Sequence, residues 1–208
     1  MFSFRWGGLD SIGDPQGYLG KQKSKDYANI ISKTMLDTMV FHGPAQPTIF
    51  GSIRNTFTWR SFSISANISY KFGYYYRRPS VNYNSLFNNW TGNSDFTKRW
   101  QKPGDENMTN VPKMVYTNYS QFTNRDNFYL NSSVLVEKGD HIRLEDISVS
   151  YDIDKKKWHK LPFRLIRIYI YASNLGIIWR ANKSGTDPYY LDVPSNGKAF
   201  SFGLNANF

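Results

Sequence analysis

The sequence predicts an all-β chain, the C-terminal portion (about six antiparallel strands) of a large transmembrane β-barrel. Strict alternation of apolar and polar residues over stretches of about ten or more is the first reason. Another is a composition rich in apolar and aromatic residues but low in overall hydropathy. The last is a regular exchange of short and long connections. Of the 208 residues, 40% are hydrophobic and 17% aromatic, yet the mean hydropathy is −0.56, so the apolar residues are dispersed among polar ones. No run approaches the roughly 20 apolar residues of a transmembrane helix. The apolar clusters at residues 166–170 and 177–179 are broken by Arg167 or bounded by Gly176 and Arg180.

Residues 1–6 read as the end of a first strand, with Met1 inside it, since no signal-peptide pattern opens the chain. Residues 48–59 then place Ile49, Gly51, Ile53, Asn55, Phe57 and Trp59 on one face. A tight turn near Arg60 leads into residues 61–73. There Phe62, Ile64, Ala66, Ile68, Tyr70 and Phe72 oppose a Ser-, Asn- and Lys-bearing face, which makes a long antiparallel hairpin. Ile147, Val149, Tyr151 and Ile153 alternate in the same way, but Ile142 and Leu144 fall on the opposite phase. A bulge is therefore expected near Glu145. Residues 163–175 and 199–208 supply the remaining strands, the last with Phe200, Phe202, Leu204, Ala206 and Phe208 on one side.

A strand of ~10 residues tilted by ~40° spans about 25 Å, the height of a lipid-facing apolar band. Strands of soluble sandwiches average about half that length. The polar faces, rich in Ser, Asn and Thr, suit a water-filled lumen. Aromatics near strand ends (Trp59; Phe72 with Tyr74, Tyr75 and Tyr76; Trp179; Phe208) suit interfacial girdles. The turn at Arg60 is very short and the connection 154–162 moderate, whereas 10–47, 74–141 and 176–198 are long. Short turns on one side and long loops on the other are the barrel arrangement. Six strands cannot close a barrel, and an open sheet edge is untenable in lipid. The chain is therefore expected to be the C-terminal segment, residues 1–208, of a longer protein. A soluble or surface carbohydrate-binding β-sandwich is the alternative of another class.

The net charge of +10 is spread over Lys21, Lys23, Lys25, Arg77, Arg78, Lys98, Arg99, Lys102 and the run Lys155, Lys156, Lys157 with Lys160. No motif gathers these residues, so nucleic-acid binding is not expected. The lysine run reads as a solvated turn. Cysteine is absent, His42, His141 and His159 lack ligand spacing, and no nucleophile elbow, P-loop or paired acid site is present. Neither an enzyme nor a cofactor is expected.

A series of short motifs carries a family resemblance. In order they are Gly8-Leu9-Asp10 with Gly13 and Pro15; Pro47 to Gly51 followed by Asn55 and Phe57; and Arg99-Trp100 with Pro103-Gly104-Asp105 and Val111-Pro112. Then come Gly139-Asp140-His141-Ile142-Arg143-Leu144; Asn174-Leu175; Gly185-Thr186-Asp187-Pro188; and the closing 201–208. Together they resemble the C-terminal part of SusC/RagA-family TonB-linked outer-membrane transporters. The loop block at 99–105 distinguishes them from siderophore-type TonB-dependent receptors.

The resemblance implies a barrel of about 22 strands in the cell outer membrane. It also implies import of glycans, oligosaccharides or peptides and a SusD-like surface lipoprotein as partner, in Bacteroidota. The TonB complex would be reached through an N-terminal part, with its plug and remaining strands, that this chain lacks. Phe200, Phe202, Leu204 and Phe208 resemble the signal read by the barrel-assembly machinery, although an ordinary lipid-facing last strand has the same pattern. Tyr74, Tyr75, Tyr76, Tyr83, Trp90 and Trp100 lie in the largest loop and are the candidates for substrate contact, because sugar rings and peptide side chains stack on exposed aromatics. Packing of the loop on itself or on the partner lipoprotein is the simpler account of them. Asp105 and Asp187 read as turn residues that accept backbone N–H groups.

Overall fold

A computed structural model of the chain describes residues 1–155, 159, 162–191 and 193–207. In chain order the strands are β1 (Phe2–Ser3), β2 (Gly17–Leu19), β3 (Gln22–Ser24), β4 (Val40–Phe41), β5 (Ile49–Trp59) and β6 (Phe62–Phe72). They continue with β7 (Tyr75–Arg77), β8 (Val136–Lys138), β9 (His141–Asp154), β10 (Leu165–Arg180) and β11 (Ala199–Asn207). Three short α-helices, α1 (Tyr27–Lys33), α2 (Tyr83–Asn89) and α3 (Phe122–Leu130), all precede β8. Strands make up 40% of the chain, so the β class expected from alternation holds. The chain divides into two units, Met1–Ala45 with Tyr75–Lys138, and Gln46–Tyr74 with Gly139–Phe208.

The second unit is one antiparallel sheet in the order β11-β10-β9-β6-β5. Its hairpin closes at Trp59 opposite Phe62, with Arg60 in the left-handed region at φ 55°. Among the described residues, register gathers the predicted apolar positions of these five strands onto one face. Ile53 meets Ile68, Phe57 meets Ile64, Ile64 meets Val149, Val149 meets Ile170, and Ile170 meets Phe202. The expected bulge is present. Asn67 faces Asp146 while Ile68 faces Leu144, so Glu145 is the extra residue. On the other side of β9 the ladder skips from Ser173 to Gly176, with Asn174 at φ 57° and Gly176 at φ 103°. The extra residue returns Leu144 and Ile142 to the face that carries Ile147 and Val149, which resolves the phase break in the sequence.

Two sequence expectations are corrected. The residues read as the end of a first barrel strand are instead a short strand, Phe2–Ser3, paired with Val40–Phe41 in the first unit, so the sheet has five strands. Phe2, Phe4 and Trp6 do alternate with Ser3 and Arg5, but the strand lasts only two residues, and Phe4 and Trp6 pack on Phe128 in the first unit instead. Nor are the long connections 10–47 and 74–141 plain loops. They supply the first unit, which has its own apolar core. One cluster joins Val81, Tyr83, Val111, Val115, Phe122, Tyr129 and Leu135, and another joins Tyr27, Ile30 and Phe128.

Local chemistry starts the first two helices. The Asp26 carboxylate accepts the Asn29 N–H at 3.2 Å, and the Asn82 side chain accepts the Ser85 N–H at 3.0 Å. At seven residues each, α1 and α2 are too short to be stable alone, so they persist by packing. β10 also runs further than expected, through Trp179 to Arg180.

Candidate functional site

The candidate site is the five-stranded sheet, whose faces differ in kind. On the apolar face large side chains stand open: Phe57 is 62% exposed, Phe200 64% and Phe202 79%. A bare aliphatic and aromatic surface of this extent is costly in water, at roughly 25 cal/mol per Å². Aromatics mark both ends of the face. Trp59, Phe62 and Tyr151 line a hollow at the hairpin end. At the other, Phe72 packs on Tyr70 and Trp179 with ring centroids 5.6 and 6.2 Å away.

Side chains on the opposite face bond one another across strands. Thr56 meets Ser65 at 3.1 Å and Thr58 meets Ser63 at 3.0 Å. The Arg54 guanidinium donates to Asp146 at 2.9 Å, and the Asn67 amide donates to the same carboxylate oxygen at 3.2 Å. Ser69 donates to Glu145 at 2.5 Å. Because Glu145 is the bulge residue, both it and Asp146 lie on this face. Arg167 grips Asp152 with two bonds of 2.6 and 2.7 Å. Tyr169 lies across Gly203, where an added Cβ would sit 2.2 Å from the ring, so only glycine fits that point of the closing motif.

Motifs that are distant in sequence condense into one cluster in each unit. In the sheet unit, Asp140 accepts the Gly73 N–H at 2.8 Å, and Arg143 pairs with Asp187. The Gly139–Leu144 and Gly185–Pro188 blocks are thereby one structural feature. Asp187 also accepts the Tyr189 N–H at 2.9 Å, as its turn chemistry predicts. In the first unit, Gly13 (φ 78°) lies under the Trp100 ring, where an added Cβ would be 2.5 Å away. Asp105 accepts the Gln101 and Lys102 N–H groups at 3.1 and 3.0 Å, again as expected.

Beneath that turn lies an ionic hub that sequence reading missed. Asp14, fully buried, accepts from Arg125 at 3.2 Å, Tyr119 at 2.8 Å and Lys113 at 3.3 Å. Arg125, also fully buried, donates in addition to the Lys113 carbonyl at 3.0 Å. Nothing in the spacing of these residues joins them. Asp14 itself lies unremarked between Gly13 and Pro15 of the first motif.

The substrate-contact candidates separate by burial. Tyr74, Tyr76 and Tyr83 are buried, Tyr75 and Trp100 are half-buried, and Trp90 is 90% exposed. Tyr76 donates to Glu137 at 3.1 Å, Tyr83 to the Pro112 carbonyl at 2.7 Å, and Trp100 to Glu106 at 3.0 Å. Burial pushes the Tyr83 phenol above its usual range and the Tyr129 phenol up to about 12. These rings act here as core and loop supports. Tyr74 and Tyr76 therefore do not contribute to an interfacial girdle. Of the assembly-signal residues, Phe200, Phe202 and Leu204 project from β11 on the apolar face, exposed. Phe208 lies outside the described residues, as do Lys156, Lys157 and Lys160.

Among the described residues no group of three His, Asp or Glu side chains is placed to hold a metal ion, and no helix is long and apolar enough to cross a membrane. No protein-family model matches the sequence, nor does any curated protein. Solved structures do match. The RagAB peptide importer in its "open-open" state aligns over 100% of this chain at 18% identity with a TM-score of 0.64. The RagAB peptide transporter aligns at 18% and 0.63, and the "closed-closed" importer at 17% and 0.61, both again over the whole chain. The chain spans only 22%, 22% and 23% of those chains. Over its whole length, then, the chain has the fold of a segment of the RagAB importer, the SusC-type architecture that its motifs resemble.

Proposed function

We propose that the chain is a wall-and-loop segment, at the C-terminal end, of an active importer in the bacterial outer membrane. The parent is a SusC/RagA-type barrel of about 22 strands that takes up glycans, oligosaccharides or peptides. The observation that carries this reading is the two-faced sheet, with its open apolar face bounded by aromatics and its hydrogen-bonded polar face. Lipid covers the first and the aqueous lumen bathes the second. In a carbohydrate-binding β-sandwich a second sheet would lie on the apolar face. Among the described residues, Phe57, Phe200 and Phe202 stand open instead.

The remaining assignments follow from that reading. A SusD-like lipoprotein caps the loop side, and the TonB complex acts through the N-terminal part of the parent. Phe200, Phe202, Leu204 and Phe208 are presented to the barrel-assembly machinery. Trp90 remains the accessible member of the aromatic loop set for substrate or lipoprotein contact, the buried tyrosines serving as its scaffold. Membrane fractionation of cells carrying the full-length protein tests the reading. Recovery in the outer membrane with strict detergent dependence is expected, together with uptake of a labelled oligopeptide or oligosaccharide. A detergent-free soluble protein would replace the importer with the sandwich.

A further inference from the structure

Beyond Arg180 the chain does not stand away from the sheet. The turn at residues 185–190 folds back onto the polar face of β6 and β9. Its Asp187 pairs with Arg143, whose side chain is 5% exposed. The Tyr189 ring lies 4.2 Å from the Lys71 ammonium and 4.4 Å from the Arg143 guanidinium, with the His141 ring edge-on at 5.1 Å. Lys71, His141 and Arg143 all belong to the polar face, Lys71 being the cross-strand partner of His141 and Ser69 that of Arg143.

The turn is also braced internally. Asn182 accepts the Gly185 N–H at 3.0 Å and donates to the Thr186 carbonyl at 3.0 Å, while Arg180 donates to the Gly185 carbonyl. An ion pair with one partner this buried is a costly arrangement to keep unless it holds a geometry in place. Tyr189, with Tyr190 beside it at 6.4 Å, therefore occupies space over the polar face of the sheet. None of these residues was singled out as a substrate contact by its sequence context.

We propose that the 185–190 turn is a specificity-determining element of the transport path. The Arg143–Asp187 pair latches it inward, so that Tyr189 and Tyr190 narrow the lumen and limit the size of the imported oligomer. The proposal rests on the importer reading above. Arg143 acts as a positioning residue through the turn.

The test uses the full-length transporter with Arg143→Met, with Asp187→Asn, and with Arg143→Cys and Asp187→Cys combined. This chain has no cysteine of its own to interfere with the last. Uptake of a length series of labelled oligopeptides, and of a parallel series of oligosaccharides, is measured at matched surface levels. Both single variants are expected to raise uptake of the longest imported members relative to the shortest by about tenfold, the scale of discrimination that one steric contact supplies. Bridging the cysteine pair with a short bismaleimide is expected to restore the wild-type ratio. Should Arg143→Met fail to reach the membrane, the more exposed Asp187→Asn decides alone. An unchanged length ratio, or a cysteine pair that cannot be bridged, overturns the latch and leaves the importer standing. A wild-type protein that imports neither series overturns the importer reading and the latch with it.

Discussion

Asp14 and Arg125 show at the scale of single residues why the first unit is more than loop. Two opposite charges with no solvent exposure offset their desolvation through each other and through Tyr119, Lys113 and the Lys113 carbonyl, with Asp126 3.9 Å from the remaining guanidinium nitrogen. Removing one partner strands the other, so Arg125→Met should cost about 3–5 kcal/mol. Accelerated hydrogen exchange of α3 in the assembled protein is the expected signature. Asp95 makes a separate prediction about pH. Burial alone would raise its carboxyl, but the Arg78 guanidinium and Ser80 hydroxyl overcome that and hold it below the ordinary value of 3.8. A carboxylate depressed in the folded state contributes stability that is complete above its unfolded value and drains away as pH falls through the lower folded one. Urea resistance of the first unit should therefore weaken with acidification below about pH 4. Asp95→Asn should flatten that limb.

The decisive element is β9 with its bulge. On either side of Glu145 its apolar residues run in opposite phase, and the extra residue brings both sets to one face. Deleting Glu145 would turn either the His141–Leu144 end or the rest of the strand over, sending polar side chains such as Arg143 toward lipid. A charge placed there costs about 2–4 kcal/mol near mid-bilayer. The deletion should abolish accumulation of the parent protein in the outer membrane, whereas Glu145→Gln, which keeps the residue count, should assemble normally. Comparing the two by surface labelling separates register from charge.

Taken as a whole, the sheet is open at β5 and β11, and each edge offers a row of unpaired backbone groups. A sheet with such edges cannot persist in lipid. The 208-residue chain expressed alone should aggregate, or refold in detergent without the heat-modifiable band shift of a closed barrel. Co-refolding with the remaining strands of the proposed parent should produce that shift. A stable, soluble, monodisperse 208-residue protein would show that something other than a barrel covers the apolar face.

The two-residue period of the side chains made the sheet legible from the sequence, because alternation over ten residues places Ile64, Ile68 and Phe202 on one face. It also exposed the bulge, as a phase break at Leu144, and the turn roles of Asp105 and Asp187 follow from local side-chain chemistry. What lay in the first unit was not legible, for two reasons. Its helices are shorter than the window in which a 3.6-residue period can be seen. Its polar core also joins residues more than 90 positions apart, Asp14 with Lys113, Tyr119 and Arg125. For the same reason the sequence marked Tyr74, Tyr76 and Tyr83 as loop aromatics without distinguishing buried from exposed. Strand pattern is written residue by residue along the chain. Burial, ion pairing and the fold of the 185–190 turn onto the polar face depend on contacts between distant segments, and only the tertiary structure decided them.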